Sequence, residues 1–472
     1  MSILNTVSKI LVKLTSDYGK KVKSVKNALP IPDAKPIKYS GDAYKLGFAM
    51  ADINPETTDK PLYIAGHGSG HVMSGVLSDV YVSCAYIGLG DKGLLWLSAD
   101  IIGLTLFEGD IIRERIYKTG LFPKDTVITI TATHSHSGID TIGYWGKPFA
   151  SIPSDGKDPD YMEKLYKACV SVAVRAYENR KEGKLYTGSA EIKDGLTTGR
   201  NIIDKHEIVS RLRFVANDGE ETWIVNFGGH PNSLGGGNRF LSGEYPYFLR
   251  RHINDAGANM LFGVGTIGGM DVKNFDNKNR IRSIVEQGKM IFDGLVTIEN
   301  ERELTPEMSV TVQDFYLPVD NNVLAFLAKK GTMSFIPYPS DIALTGIAMK
   351  TRMTYMIIGD QKILTLPGEM FANTVYGSYN DSDTSSTGLG AAVNPKPLVE
   401  ICDDENLIVF GVTDDMTGYC LPPNDFVLNE KQPFLTSARD RFGKNHYHET
   451  NSMGVNTQKV IADTFERVVN NN

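Results

Sequence analysis

The chain has 472 residues, enough for two or three average domains or one large unit with insertions. Its hydrophobic fraction of 41% and charged fraction of 22% exclude global disorder, and a formal net charge of −7 gives no electrostatic footing for nucleic acid. Cys84, Cys169, Cys402 and Cys420 lie far apart with no CxxC spacing, which sets aside a thiolate metal site and reads as free thiols in a reducing compartment.

In chain order, Leu4, Val7, Leu11, Leu14 and Tyr18 recur at helical spacing. Residues 1–40 hold eight Lys against two Asp. Such a helix suits either an anionic membrane surface, touched through residues 1–30, or docking on its own domain or a sister subunit of a homo-oligomer. Lysines interrupt the stretch throughout, so it has no signal-like apolar core, and no run in the chain approaches the roughly 20 apolar residues that span a bilayer. A cytoplasmic location is the expectation. The prolines of "ALPIPDAKPIKYSGD" end the helix and make an extended linker. The expected division is a basic amphipathic helix and linker over 1–40, then a single domain over 41–472.

Beyond residue 40, β-type runs such as "DVYVSCAYIGL", "KGLLWLSAD", "TVITITATHS", "TWIVNFGGH", "NMLFGVGTI" and "NLIVFGVTDD" alternate with helical segments such as "PDYMEKLYKACVSVAVRAYENRKEG". The alternation predicts an α/β fold with mixed β-sheets and flanking helices. Polar or titratable residues recur where an apolar run ends: Asp100, His134 and His136, His230, Asp271 and Glu369. Ligands of α/β sheets bind outside the carboxyl ends of strands, so these residues are candidates for one shared site.

His134 and His136 stand two apart in "TATHSHSG", and if the strand continued they would share a face. Imidazole is a common zinc ligand and a proton carrier, although a hydrogen-bonded loop pair reads the same. His230 lies among glycines that let a ligand approach, or is incidental to a surface loop. Glu369 follows the strand-breaking "LPG" and offers an anionic oxygen, or is a solvated loop carboxylate. Asp100 and Glu244 are placed to brace ligating histidines. Gly263, Gly265 and Gly268 spell GxGxxG, but no acidic residue follows on a next strand, so a dinucleotide is not expected.

The ordered segments "GFAMADINP", "LSADIIGL", "TATHSHSG", "TGRN", "HPNSLGGGNRFLSGEYP", "GTIGGMDV", "LPGEMF" and "MTGYCLPP…HYHETNS" resemble the catalytic domain of the neutral/alkaline, non-lysosomal ceramidases and their bacterial relatives, over roughly residues 45–465. "THSHSG" is the most specific, close to the family's THTHSG. The resemblance implies that fold, and hydrolysis of an amide joining a fatty acid to a sphingoid base. It implies a zinc ion held by His134, His230, Glu369 and Tyr419, with His136 beside the metal as proton carrier. Arg200 matches an arginine that contacts the reacting group, Tyr447 a late active-site tyrosine, and His67 a Gly-rich loop bordering the site, hence a substrate contact.

Two departures matter. Met416 stands where the family's NxYxxY segment has its first tyrosine, and "GGMDV" puts Asp271 at the serine of "GDxSP" and Gly269 at its aspartate. Without that hydroxyl, the expectation is a zinc-dependent hydrolase that cleaves an N-acyl amine-like carboxamide by metal-activated water, on a small-molecule or lipid-like amide. Asp271 would orient water, bind the substrate amine or join the metal. The alternatives are a non-catalytic metal- or ligand-binding protein on the same scaffold, and an ester or lactone hydrolase.

Overall fold

A computed structural model describes residues 3–15, 31–56, 59–123, 125–148, 154–203 and 205–472. Strands buried on both faces organise it. In Tyr81–Leu89, Val82, Cys84 and Tyr86 face one apolar cluster while Ala85, Ile87 and Leu89 face another. In Lys92–Ala99, Leu95 and Leu97 divide from Leu94 and Trp96 in the same way. Side chains alternate along a strand, so apolar residues at every position require cover above and below the sheet.

The larger sheet has nine strands. Its order runs Ala258–Val264, Glu221–Phe227, Ile208–Ala216, Lys181–Glu191, Tyr44–Asp52, Tyr81–Leu89, Lys92–Ala99 and Val127–Ala132, with Arg302–Glu303 paired to Lys181–Glu191. The smaller sheet runs Ile37–Ser40, Glu307–Pro318, Ile347–Ile358, Gln361–Thr365 and Ile408–Phe410, with Pro337–Pro339 beside Ile347–Ile358. One face of each sheet meets the other across a shared cluster that includes Trp96, Phe214, Ile224, Val310, Met356 and Phe410. Helices Leu106–Lys118, Pro159–Glu178, Glu244–Asp255 and Arg280–Val296 pack on the outer face of the larger sheet. Asn322–Lys330 and Thr457–Asn470 pack on that of the smaller. The result is four layers, helix, sheet, sheet, helix, which is the mixed α/β architecture the alternating pattern predicts.

Within these two sheets most neighbours are antiparallel, but three pairs are parallel: Lys92–Ala99 with Val127–Ala132, Glu221–Phe227 with Ala258–Val264, and Gln361–Thr365 with Ile408–Phe410. A parallel pair ends both its strands at one edge. The three edges are stitched together beyond the strand ends, where Gly411 N donates to Val264 O at 2.9 Å and Ala132 N to Val412 O at 3.1 Å.

The N-terminal helix, Ile3–Thr15, docks on Asn322–Lys330. Leu11 is buried there, Lys329 Nζ donates to Leu14 O at 3.1 Å, and Gln432 donates to Asn5. Ile10, Val12 and Leu14 stay exposed. Tyr18 and the lysines of 16–30, on which the membrane expectation partly rests, lie outside the described residues. Ile37–Ser40, at the end of the expected linker, pairs with Val310–Glu307 as an edge strand. Among the described residues no helix is long and apolar enough to cross a membrane.

Candidate metal centre

The strand Val127–Ala132 stops short of His134, whose φ of 59° turns the chain into the left-handed region. The shared face of an extended strand is therefore not what joins the histidine pair. The turn after the strand brings His136 back instead, tied by its backbone N–H to Pro231 O at 2.9 Å, and the two Nε2 atoms lie 3.2 Å apart. A left-handed non-glycine residue at a ligand position is strain held by surrounding contacts. Gly66 shows how closely these contacts fit: a Cβ there would sit 2.5 Å from the ring of His136.

His134 Nδ1 lies 2.7 Å from Ile102 O, and His230 Nδ1 lies 3.1 Å from Met270 O. A carbonyl only accepts, so each Nδ1 carries a proton and each Nε2 faces the cluster. Glu369 Oε2 lies 2.9 Å from His230 Nε2 and 3.5 Å from His134 Nε2. The ligand atoms of His134, His136 and His230 all fall within 4.8 Å of one another, and all four residues are buried. Burial alone would raise the Glu369 carboxyl, but His134 and His230 hold it well below the usual carboxylate range. Burial, reinforced by His134 and His230, drops His136 well below the ordinary histidine value, which keeps its imidazole neutral. Imidazole nitrogens and an ionised carboxylate gathered at one buried spot could hold a metal ion between them. The donor set of nitrogens and one carboxylate oxygen fits a borderline divalent ion such as zinc.

Tyr419 reaches the centre because Glu369–Met370 and Tyr419–Cys420 form a short parallel ladder. Its hydroxyl hydrogen-bonds Glu369, and burial, then the Glu369 charge, pushes the phenol well above its ordinary value. Gly418 before it has φ 76°, and a Cβ there would collide with Asn451 O at 1.9 Å.

These groups floor a cavity of about 740 Å³, also lined by Arg200, Asp271, Tyr447 and His67. His134, His136, His230, Glu369, Tyr419, Arg200, Asp271, Tyr447 and His67 thus border one space, while Asp100 and Glu244 do not line it. Arg200 is buried, with Nη1 2.8 Å from His446 Nδ1 and 3.2 Å from Glu449 Oε1, and Nη2 donates to Asp425 O at 2.9 Å. Asp271 is exposed to the cavity and accepts from Asn232 Nδ2 at 2.7 Å. Tyr447 hydrogen-bonds Tyr419, and burial, then Asp271, pushes its phenol up to about 12. His67 stands edge-on to His136 with ring centroids 5.0 Å apart, and its Nε2 is buried without a partner.

Asp100 and Glu244 do not brace histidines. Asp100 forms a bidentate pair with Arg250 at 2.9 Å on both arms. Glu244 takes Ser137 Oγ at 2.7 Å and Leu234 N at 3.3 Å, linking the loop of His136 to that of His230. Backbone carbonyls hold the rings instead, which no side-chain pattern reveals. His448 was missed. It lines the cavity, stacks on Tyr447 at 4.0 Å, and buries an unpartnered Nδ1. Its signal was the second histidine of "HYHE", spaced like the first pair.

No protein-family model matches the chain, and no curated protein matches it. Solved structures do. The neutral ceramidase from Pseudomonas aeruginosa matches with a TM-score of 0.68 at 16% identity, covering 91% of this chain and 74% of that one. A ceramidase complexed with C2 matches at 0.67 and 15%, covering 90% and 75%. At such identity the common feature is the fold, which is ceramidase-like. Its strand ends carry a three-histidine cluster of a kind that could hold a metal ion.

Proposed function

We propose that this chain is a zinc-dependent hydrolase of carboxamides, acting on an N-acyl amine. The observation that carries this reading is the convergence of His134, His136, His230 and Glu369 on one buried point at the floor of an open cavity. The ceramidase-like fold adds weight. Zinc held by His134, His230, Glu369 and Tyr419 would supply Lewis acidity, polarising a carbonyl and lowering the pKa of water toward about 7.

The chain's own residues supply the rest. His136, neutral and beside the cluster, takes a proton from attacking water and delivers it to the leaving nitrogen. Tyr447, bonded to Tyr419, offers a hydroxyl to the reacting oxygen. Arg200 contributes positive field to that oxygen. Both its terminal nitrogens are already engaged, so it adds no free hydrogen-bond fork. Water is the nucleophile because Asp271 stands where a serine hydroxyl would otherwise be expected.

The test is metal content by plasma mass spectrometry, with hydrolysis of an N-acyl amine panel, on the native protein and on folded His134→Ala and His230→Ala variants. About one zinc per chain and metal-dependent turnover, both lost in the variants, is the expected result. No metal after zinc is offered would overturn it.

A further inference from the structure

The cavity walls differ in kind. On the His134 side, Ile102, Ile142, Trp145, Leu324, Met333 and Met453 belong to one continuous apolar cluster, and Ile102 also holds the His134 ring. This wall has a rigid base. Asp140 accepts from the backbone N–H groups of Ile142, Gly143, Tyr144 and Trp145 at 2.8 to 3.0 Å, freezing the turn that presents Trp145.

The His230 side is acidic and aromatic. Asp271 bridges in backbone register to His230 and lines the cavity with Tyr419 and Tyr447, whose ring centroids lie 6.4 Å apart. Its one side-chain partner is the neutral amide of Asn232, and among the described residues it has no ion pair within 4 Å. The cations lining the cavity do not neutralise it: Arg200 pairs with Glu449, and Lys444 forms no ion pair with Asp271. Tyr447 is about half exposed, and its ring is backed by His448 at 4.0 Å. An unneutralised carboxylate beside an accessible tyrosine face suits an ammonium group, through charge and through the ring quadrupole.

Resting on the hydrolase reading, we propose that Asp271 and Tyr447 form a cation-binding corner that selects amides whose amine half carries an ammonium group, while an apolar acyl half lies against Trp145, Leu324 and Met333. The scissile amide then spans the two walls over the histidine cluster. Asp271 is a specificity-determining residue in this scheme.

The experiment compares two amides of equal shape, N-decanoyl-1,4-diaminobutane and N-decanoyl-pentylamine, which differ by an ammonium in place of a methyl. The zinc-loaded native protein is expected to favour the ammonium-bearing amide by about tenfold in kcat/KM, the scale of one charge-assisted hydrogen bond. Asp271→Asn should bring the ratio near one, Asp271→Glu should keep part of it, and raising salt should shrink it in the native protein. A native ratio near one, or a ratio unchanged in Asp271→Asn, overturns the proposal. Thermal stabilisation by the same amides separates it from the hydrolase reading. If neither amide is cleaved but only the ammonium-bearing one stabilises the native protein, the hydrolase reading fails and the corner stands. Equal stabilisation, or none, overturns the corner.

Discussion

Two buried groups of imidazoles and carboxylates in this molecule are built to opposite ends. In the knot of Arg200, His446, Glu449 and Asp440, each polar group meets a partner: His446 Nδ1 lies 2.8 Å from Glu449 Oε1, His446 Nε2 lies 3.2 Å from Asp440 Oδ2, and Arg200 closes on Glu449. In the cluster of His134, His136, His230 and Glu369, backbone carbonyls hold two Nδ1 protons while the Nε2 atoms and the carboxylate converge on one point. The first group is complete without a ligand; the second could hold a metal ion. Buried titratable residues mark a ligand site only when their partners fall short.

The contrast breaks most sharply at the cluster. His134→Ala or His230→Ala should remove the metal and lower kcat/KM by on the order of a thousandfold or more, with little change in fold, as metal analysis, kinetics and circular dichroism will show. The reverse is expected at the knot. Glu449→Ala strands Arg200 without its carboxylate and should cost about 3–5 kcal/mol in denaturant unfolding, while zinc per folded chain stays the same. If Glu449→Ala instead lost metal at full stability, the knot would be a support of the metal centre and not of the fold.

The brace between the loops sharpens the comparison through pH. Burial pushes the Glu244 carboxyl up to about 7, against an ordinary value near 4.3. The folded protein then binds the proton more tightly than the unfolded chain, so stability is full below the ordinary value and falls as pH rises toward 7. The loss is on the order of 3 kcal/mol. Glu244→Gln should flatten that slope in unfolding measured from pH 4.5 to 7.

Smallest is the effect at the N-terminal helix, where one leucine is buried and three apolar neighbours are not. Leu11→Ala should loosen it by about 2 kcal/mol, read as faster amide exchange over residues 3–15 with kcat/KM unchanged. Deleting residues 1–30 is expected to weaken binding to anionic vesicles. Unchanged binding would leave docking on the helix Asn322–Lys330 as the role of this segment.

Much of the site was legible because parallel strands end together: His134, His230, Asp271 and Glu369 each follow an apolar run, and all four line one cavity. Less legible were groups whose role depends on a distant partner. Asp100 looked like a brace for histidine, yet Arg250, 150 residues away, takes both its oxygens. Arg200 was visible as a site arginine, but its engagement by His446, Glu449 and the Asp425 carbonyl was not. His448 escaped because stacking on Tyr447 and closure of the cavity give it meaning, and neither has a period.

By itself the sequence determined the α/β class with mixed sheets and flanking helices, since alternation and strand-end chemistry are local and survive in one dimension. It also determined which residue types stand at the mouths of the strands. Only the tertiary structure decided which imidazoles meet and which nitrogen each turns inward. His134 turns left-handed at φ 59°, and carbonyls of Ile102 and Met270 set the two rings. Those choices depend on hydrogen bonds between segments 32 and 40 residues apart, and such bonds exist only once the neighbouring parallel strands of the larger sheet have paired.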